Sequence, residues 1–313
     1  MATILITGGT GLVGRALCKA LQERGYDIII LTRKIRPIIH NQQPADRIRY
    51  AEWNVDAQII DKDAIAKADY ILHLAGAGVA EKRWTKKRKK EIIDSRVKSG
   101  QLIVESLRNI PNKVKAIIAA SAIGWYGADP VVPNPNNFTE DAPADKEFLG
   151  DTCHQWEQSI EPVAQLNKRL VKLRIGIVLS KEGGALKEFI KPLKFGVAAI
   201  LGNGKQMISW IHIDDLCRMF IYAIQNEELQ GTYNAVAPVP VSNRTLTLTL
   251  ARIMRGRFYI PVQIPGFVLK LMLGQRSIEV LKSATVSCKK IMSAGFVFRY
   301  DTVEDALRSL TKR

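Results

Sequence analysis

Short apolar runs alternate with longer amphipathic stretches over the first 180 residues of the chain. The runs are nearly continuous in apolar character, which is typical of strands that are buried on both faces of a sheet. They predict strands at residues 3–7, 27–32, 47–54, 70–75, 115–121 and 169–179. Helical periodicity separates most of them, as at residues 11–24 and 86–107. This alternation favours an α/β fold, a doubly wound parallel sheet with helices on both faces.

The pattern changes after Ser180, where proline and glycine become frequent and connections lengthen. Helical stretches are still visible near residues 214–225, 244–254 and 303–310. We therefore expect residues 1–180 to form a Rossmann-like domain, to which later segments return. Residues 181–313 then form a smaller α+β substrate lobe over the carboxyl ends of the strands, where open α/β sheets bind their ligands.

The first strand runs directly into a glycine-rich turn and an amphipathic helix, with the sequence ILITGGTGLVG at residues 4–14. Gly8 permits a tight turn, Gly11 lets the backbone approach a pyrophosphate, and Gly14 allows close packing of helix and strand. The helix start offers free N–H groups and a positive dipole end to phosphates. The segment predicts a dinucleotide site, the alternative being a purely structural turn.

The end of the second strand indicates which dinucleotide binds. NAD-binding folds place an acidic residue there for the ribose 2′-hydroxyl, whereas this chain reads Leu31-Thr32-Arg33-Lys34. A carboxylate would repel a 2′-phosphate, and a guanidinium can bind one bidentately. We therefore expect NADP(H) rather than NAD(H), although Arg33 alone could be an exposed cation.

Small residues end the fourth strand in the segment HLAGAG at residues 73–78, which lets the adenosine side of the cofactor lie against the backbone. Trp53 and Asn54 close the third strand and could flank the adenine, although Trp53 could equally pack in the core. The residues predicted to contact the cofactor are Gly8, Thr10, Gly11, Leu12, Val13, Thr32, Arg33, Lys34, Trp53, Asn54, Leu74, Ala75 and Gly76.

Composition argues against a membrane-spanning, a secreted or a metal-binding protein. No apolar run approaches the roughly 20 residues of a membrane span, and the amino terminus reads as a strand rather than a signal peptide. The four cysteines are far apart and form no CxxC pair, so we expect reduced thiols in a cytoplasmic protein and no metal site. We also expect no membrane partner.

The formal net charge is +16, and the densest basic run is KKRKK at residues 86–90. A run of this kind is most often a solvated helix face. Nucleic acid is the weaker alternative, because no zinc-finger or RNA-binding aromatic signature accompanies it. The phosphates of NADP need only a few of these charges.

The chain resembles the atypical extended short-chain dehydrogenase/reductases, and more closely their sugar-epimerase-like subfamily with a C-terminal DUF1731 domain. The segments that carry this resemblance span most of the chain and read TGGTG, HLAGA, IDSR, SAIGWYG, WE, RIGIVLS, SWIHIDD, NAVAP and GFVFRY. The resemblance implies a Rossmann-like NADP domain, a small substrate lobe ending in a DUF1731-like region at about residues 260–311, and Arg96 as a cofactor contact. It implies no particular substrate.

Carbonyl reduction needs a proton donor, which the wider superfamily supplies with a tyrosine and a lysine four residues later. None of the eight tyrosines has a lysine at that spacing. If Glu157 is aligned with the acidic residue after the usual pair, Leu149 and Cys153 occupy the positions of the tyrosine and the lysine. The dyad of the superfamily is therefore missing.

Three residues remain as catalytic candidates. Ser121 matches the superfamily's serine, Tyr126 follows five residues later, and Cys153 falls near the expected nicotinamide position. Two of them also have a structural interpretation, Tyr126 as a packed loop tyrosine and Cys153 as a small buried hydrophobe. We expect Trp125, Trp210 and His212 to line the substrate cleft, His154 to be a helix surface residue, and Asp214 to cap a helix.

The sequence thus favours an NADP(H)-dependent oxidoreductase or epimerase-like enzyme that acts on a small polar metabolite, as a monomer or homodimer. The alternative is a non-catalytic NADP(H)-binding redox sensor or regulatory partner.

Overall fold

The computed structural model describes residues 2–33 and 47–311. The strands found there are β1 (Thr3–Thr7), β2 (Asp27–Thr32), β3 (Ile48–Asn54), β4 (Ile59–Ile60), β5 (Tyr70–His73), β6 (Ala116–Ala122), β7 (Arg169–Ile175), β8 (Ile177–Ser180), β9 (Gly183–Gly184), β10 (Val197–Leu201), β11 (Met207–Ile208), β12 (Trp210–His212), β13 (Gly231–Ala235), β14 (Val241–Ser242) and β15 (Ile260–Ile264).

The α-helices within the same residues are α1 (Leu12–Gln22), α2 (Lys62–Lys67), α3 (Lys86–Asn109), α4 (Phe148–Ile160), α5 (Ala185–Leu193), α6 (Ile213–Gln225), α7 (Asn243–Arg255), α8 (Gly266–Leu273), α9 (Ser277–Leu281), α10 (Lys289–Ser293) and α11 (Val303–Thr311).

An eight-stranded sheet lies at the centre, in the order β13-β7-β6-β5-β1-β2-β3-β4. Its strands are parallel except for β4, which pairs antiparallel with β3. The strand order reverses between β1 and β5, which makes their carboxyl ends the switch point where such sheets bind ligands. The predicted doubly wound α/β fold is therefore confirmed.

Two apolar clusters cover the two faces of the sheet. One contains Leu17 and Leu21 of α1 together with much of α6, and the other joins α2 to the second half of α3. Because both faces are buried, the strands read as apolar runs rather than as alternating patterns.

The predicted strand at residues 169–179 is wrong as a single element. The chain divides at Gly176, so that β7 stays in the central sheet and β8 joins β12 and β9 in a separate three-stranded sheet. A Cβ on Gly176 would lie 2.5 Å from the carbonyl oxygen of Ser209. This glycine therefore permits the close crossing at which the chain leaves the central sheet.

The C-terminal part is built from small sheets and helices. In addition to the three-stranded sheet, β10 pairs with β15 and β11 with β14, while β13 returns to the edge of the central sheet. No helix within the described ranges 2–33 and 47–311 has both the length and the apolar character needed to cross a membrane.

Two buried carboxylates hold the C-terminal segment in place. Asp129 accepts hydrogen bonds from Ser283 Oγ at 2.7 Å and from the main-chain N of Thr285 at 2.8 Å. Asp215, fully buried in α6, accepts from the main-chain N of Arg299 and of Tyr300, both at 2.9 Å. The segment after residue 280 is therefore tied to the rest of the chain by charge-assisted hydrogen bonds.

The basic run at residues 86–90 begins α3, as expected, but it is not solvated throughout. Arg88 is buried and pairs with Glu81 at 3.3 Å and Glu91 at 2.8 Å. Its partners offset the cost of burying the guanidinium. The neighbouring Lys86 and Lys87 are exposed.

Candidate functional site

The turn between β1 and α1 has little room for side chains. Gly8 has a φ of +69°, and a Cβ there would lie 2.8 Å from the carbonyl oxygen of Leu74. A Cβ on Gly14 would lie 2.3 Å from the carbonyl oxygen of Gly8. On Gly11, by contrast, a Cβ would meet only that oxygen, at 3.2 Å. The backbone at Gly11 is therefore open on its other side to a ligand.

The start of α1 can hold an anion with main-chain groups. Gly11 provides no side-chain cap, and the first turn contains no acidic residue. The amides of this turn, which include those of Leu12 and Val13, lie at the positive end of the helix dipole. We call the turn at residues 8–14, with the first main-chain amides of α1, the cradle. It fits the diphosphate of a dinucleotide, and a side chain at Gly11 would fill part of it.

Thr32 and Arg33 end β2 beside this cradle. Arg33 is exposed and Thr32 is half-buried, whereas Lys34 lies outside the described residues. A cavity of about 340 Å³ adjoins Thr32, between α1 and strands β2 and β3. It is lined by Gly9, Thr10, Arg15, Cys18, Lys19, Gln22, Ile30, Thr32, Ile48 and Tyr50.

Charges of both signs stand near this cavity. Arg15 donates from Nη1 to the carbonyl oxygen of Thr10 at 2.8 Å, and Lys19 follows one helical turn later. On the sheet side, Thr32 of β2 pairs in register with Glu52 of β3, which is exposed. Arg15 and Glu52 were not predicted from the sequence, because their proximity to Thr32 results from packing and strand register.

The loop after β5 is fixed by Thr7. Its Oγ1 accepts hydrogen bonds from the main-chain N of Leu74 at 3.0 Å and of Ala75 at 3.1 Å. It therefore donates its own proton to Nδ1 of His73, 2.8 Å away. Complete burial and the charge of Arg96 lower the pKa of His73 to about 4, so the ring is neutral. This arrangement holds the backbone that leads to Gly76.

Arg96 lies directly behind Gly76. A Cβ on Gly76 would be 3.0 Å from Cζ of Arg96, whose Nη1 donates to the carbonyl oxygens of Ala77 and Ile92. The guanidinium lies 4.8 Å from the centre of the Trp156 ring. Burial lowers the pKa of Arg96 to about 10, yet no carboxylate pairs with it among the described residues. A cation at the carboxyl end of β5 thus has its charge uncompensated.

Ser121, at the end of β6, belongs to a buried ionic network. Its Oγ donates to Oε1 of Glu157 at 2.7 Å. The same carboxylate accepts from Arg174, at 2.8 Å from Nε and 3.1 Å from Nη2. Lys172 lies 3.8 Å from it. The hydroxyl proton of Ser121 is therefore directed at a carboxylate rather than into an open cleft.

Tyr126 belongs to the same network through Arg174. Its hydroxyl donates to Oδ1 of Asn234 at 2.6 Å and accepts from Nη1 of Arg174 at 3.1 Å. Burial raises the pKa of Tyr126 to about 12 even though Arg174 opposes the shift. The structure thus brings Ser121 and Tyr126 together on one guanidinium and keeps both away from solvent.

Cys153 lies in α4, one turn before Glu157, and is buried. Burial raises its pKa to about 12, which outweighs the opposing effect of Arg96. The thiol is consequently protonated at neutral pH and is a poor nucleophile in this environment.

The three residues expected to line the cleft differ in placement. Trp125 is half-buried, with Cζ of Arg174 3.6 Å from its ring centre and the ring of His154 at 5.7 Å. Trp210 is completely buried, and its Nε1 donates to the carbonyl oxygen of Val239 at 2.9 Å. Trp210 therefore presents no surface to a substrate.

His212 is also buried, and it has a structural partner on each ring nitrogen. Nδ1 accepts from the main-chain N of Asp214 at 3.0 Å, and Nε2 lies 3.0 Å from Oγ of Ser309. The ring packs 3.9 Å from that of Tyr300. His212 rather than Asp214 caps α6, which corrects the expected cap and leaves no face of this histidine for a substrate.

Trp53 and Asn54 have local structural roles. Trp53 is 5% exposed and packs in the cluster beneath α2 and α3, so the core interpretation is the right one. Asn54 accepts from the main-chain N of Asp56 and of Ala57, both at 3.1 Å, and shapes the turn after β3.

The pairing of Glu157 with Arg174 was not predicted from the sequence. A signal was present, because Arg174 interrupts the otherwise apolar end of a buried strand. A charge there needs a buried partner. All four cysteines are buried and free, and the described part of the chain contains no cluster of three or more metal-ligating side chains.

Comparison with known proteins places the chain in a family. Residues 4–235 match the NAD dependent epimerase/dehydratase family, and residues 264–310 match DUF1731, a domain of unknown function. An epimerase family protein of Staphylococcus aureus NCTC 8325 is 36% identical over the full length of both chains. The epimerase family protein YfhF of Bacillus subtilis 168 is 33% identical over 98% of this chain and 97% of its own.

Among solved structures, the human epimerase family protein SDR39U1, determined with NADPH, superposes with a TM-score of 0.84. It is 25% identical, over 98% of both chains. A nucleoside-diphosphate sugar epimerase from Corynebacterium glutamicum has a TM-score of 0.76 and 30% identity, over 99% of this chain and 58% of its own. These comparisons agree with the cradle and the strand order. The chain therefore belongs to the NAD dependent epimerase/dehydratase family, as an NAD(P)-binding, Rossmann-like member that carries the DUF1731 region.

Proposed function

We propose that this protein is an NADP(H)-dependent oxidoreductase or epimerase-like enzyme that acts on a small polar metabolite. The observation that carries the proposal is the glycine cradle at Gly8, Gly11 and Gly14 with Arg33 at its side. The diphosphate lies against the first turn of α1, where Thr10, Leu12 and Val13 contribute backbone contacts.

The 2′-phosphate of the adenosine ribose is held by Arg33, with Arg15 as a second cation. Both lie next to Thr32, and neither has a carboxylate partner among the described residues. Glu52 is the competing group, because a carboxylate next to Thr32 could instead accept from a ribose 2′-hydroxyl. The NADPH in the human relative supports the first assignment.

Leu74, Ala75 and Gly76 would hold the adenosine side of the cofactor against their backbone, with Arg96 directly behind Gly76. The lack of a side chain at Gly76 and the uncompensated charge of Arg96 suit a polar or anionic group at this position. When bound, the cofactor supplies or accepts a hydride, and this chain has to supply the proton.

Ser121 and Tyr126 remain our candidates for the proton, either directly or through a bound water. Both already donate to buried acceptors, so a substrate oxygen has to displace Glu157 or Asn234 from one of them. Cys153 is the weakest candidate, because burial raises its pKa to about 12.

The burial of the candidate proton donors favours a second function, a non-catalytic NADP(H)-binding sensor. All three candidate donors are buried, and Ser121 and Tyr126 form hydrogen bonds to the ion pair of Glu157 and Arg174. Such a protein would bind the dinucleotide without turning it over.

Calorimetric titration with NADPH and NADH tests the cofactor assignment. We expect Arg33→Asp to weaken NADPH about 10- to 100-fold, the range for losing a charge-assisted hydrogen bond, with little effect on NADH. Arg49→Asp, on the opposite face of β3 from Glu52, is the matched control. Equal losses for both dinucleotides would refute the role of Arg33, and a shift of preference towards NADPH in Glu52→Gln would identify Glu52 as the competitor.

Turnover separates the two functions. The panel contains carbonyl metabolites and nucleotide sugars. An oxidoreductase should oxidise NADPH with at least one of the compounds, an epimerase should interconvert stereoisomers without net loss of NADPH, and Ser121→Ala or Tyr126→Phe should lower either activity. Tight NADPH binding with no turnover across the panel would favour the sensor.

A further inference from the structure

An apolar surface of the C-terminal part is covered by nothing in the described chain. It centres on the ribbon formed by β10 and β15, in which Val197 pairs with Ile260 and Ala199 with Val262. Paired residues of neighbouring strands project to the same side of a sheet. Ile260 is 69% exposed. On the other side Ala198 and Ile200 of β10 are buried, whereas their β15 partners Pro261 and Gln263 are exposed.

Both ends of the ribbon extend this surface. Phe195 and Phe258 lie at one end, because the main-chain N of Ile260 donates to the carbonyl oxygen of Gly196 at 2.8 Å. They are 86% and 85% exposed. At the other end α8 presents Phe267 and Leu271, which are four residues apart on one helical face and more than three-quarters exposed. We call Phe195, Phe258, Ile260, Val262, Phe267 and Leu271 the apolar face.

Cations are interleaved with the apolar face. Lys194, Arg257 and Lys270 each lie next to one of its residues in sequence or within one helical turn, and all are exposed. None of them forms an ion pair with a carboxylate within residues 2–33 and 47–311. The nearby Glu188 and Glu279 are paired with lysines of their own helical segments, Lys191 and Lys282.

The basic run of α3 adjoins the same face. Arg83 donates from Nη2 to the carbonyl oxygens of Leu271 and Met272, at 3.5 and 3.4 Å. Arg276 reaches back to the carbonyl oxygen of Ala80. Residues 80–83 thus contact α8, and the exposed Lys86 and Lys87 follow within one turn. The basic run and the apolar face therefore belong to one continuous surface.

We propose that this surface binds the headgroup region of an anionic lipid bilayer. Exposed aromatic and aliphatic side chains insert into the interface while lysine and arginine contact acidic headgroups. Contiguous apolar patches are rare on proteins that bind nothing through them. A second copy of the chain is disfavoured as the occupant, because the net charge of +16 and the local cations would face themselves across the contact.

This inference revises the expectation of no membrane partner. The chain has no helix in its described ranges that could span a bilayer, but contact with a bilayer surface requires none. Binding to acidic headgroups would also account for positive charges beyond the few that the phosphates of a dinucleotide need. Residues 80–83, which contact the apolar face, follow the carboxyl end of β5. The apolar face therefore lies near the edge of the sheet at which the cradle is found.

Co-sedimentation of the full chain with vesicles tests the proposal. We expect binding to vesicles that mix phosphatidylglycerol with phosphatidylcholine, little binding to phosphatidylcholine alone, and release at high salt. Lys86→Gln with Lys87→Gln should lower the partition coefficient roughly 25-fold, at roughly fivefold per charge. The matched control, Lys62→Gln with Lys67→Gln, removes two exposed lysines from α2 and should have no comparable effect.

The apolar contribution is tested in the same assay. Phe195→Ser with Phe258→Ser should lower binding about tenfold or more, whereas Val297→Ser, an exposed apolar residue near α6, should not. Thermal unfolding of every variant checks that the fold is retained. Absence of binding to anionic vesicles, or losses of equal size in the controls, would overturn the proposal. So would a dimer in solution that the two phenylalanine substitutions dissociate.

Discussion

Replacing Glu157 by glutamine measures how strongly the fold depends on a partner for the buried charge of Arg174. The carboxylate accepts three hydrogen bonds, one from Ser121 and two from Arg174, and its side chain is 6% exposed. Removing one partner of a buried pair costs about 3–5 kcal/mol, because the other charge stays buried without compensation. Arg174 retains the carbonyl oxygen of Glu140 and the ring of Trp125, so we expect the lower value, about 3 kcal/mol.

Urea unfolding, monitored by circular dichroism, measures the loss in free energy of unfolding. We expect a lower urea concentration at the midpoint and an unchanged dependence of the free energy on urea concentration. Glu304→Gln is the control, because Glu304 pairs with Arg308 at the surface of α11, where the median contribution of an ion pair is about 0–1 kcal/mol. Glu157→Gln combined with Arg174→Met should lose less than the sum of the single changes, since no unpaired charge is left. A loss of less than about 1 kcal/mol for Glu157→Gln would refute this account of the network.

Two further predictions concern the cradle and the buried histidine. Gly14→Ala should destabilise the fold by about 1–3 kcal/mol through overpacking against Gly8, whereas Gly11→Ala should unfold like the wild type and still weaken NADPH binding in calorimetry. Unfolding of the Gly14 variant at the wild-type midpoint would contradict the first of these. Because burial lowers the pKa of His73 to about 4, the unfolded chain binds a proton below pH 6.5 that the native chain does not. Stability should therefore fall between pH 6.5 and 4, by up to about 3 kcal/mol, and His73→Gln should flatten that part of the profile in urea unfolding. An equally steep profile in this variant would assign the loss to other groups.

The elements that sequence pattern predicted well are those whose signal is local. The bounds of β1 and β2 were predicted correctly. An apolar run indicates a buried strand, and the glycine or charged residue that follows it indicates where the strand ends. The cradle was predicted for a similar reason, since the glycine spacing lies within one strand–turn–helix unit.

The features that the sequence did not predict depend on contacts between distant residues. The division of the strand at Gly176 is caused by the approach of Ser209, and the cap of α6 by His212 is stabilised by Ser309. The pairing of Glu157 with Arg174 joins α4 to β7 across 17 positions. Pattern within a short window contains no information about such partners.

Asp129 and Asp215 have a consequence for how the chain can be divided. The segment after residue 264 matches a domain description of its own, yet its main-chain amides complete the solvation of these two carboxylates in the preceding part. A protein shortened before that segment would lose these donors to Asp129 and Asp215. We therefore expect the two segments to unfold together rather than as independent modules.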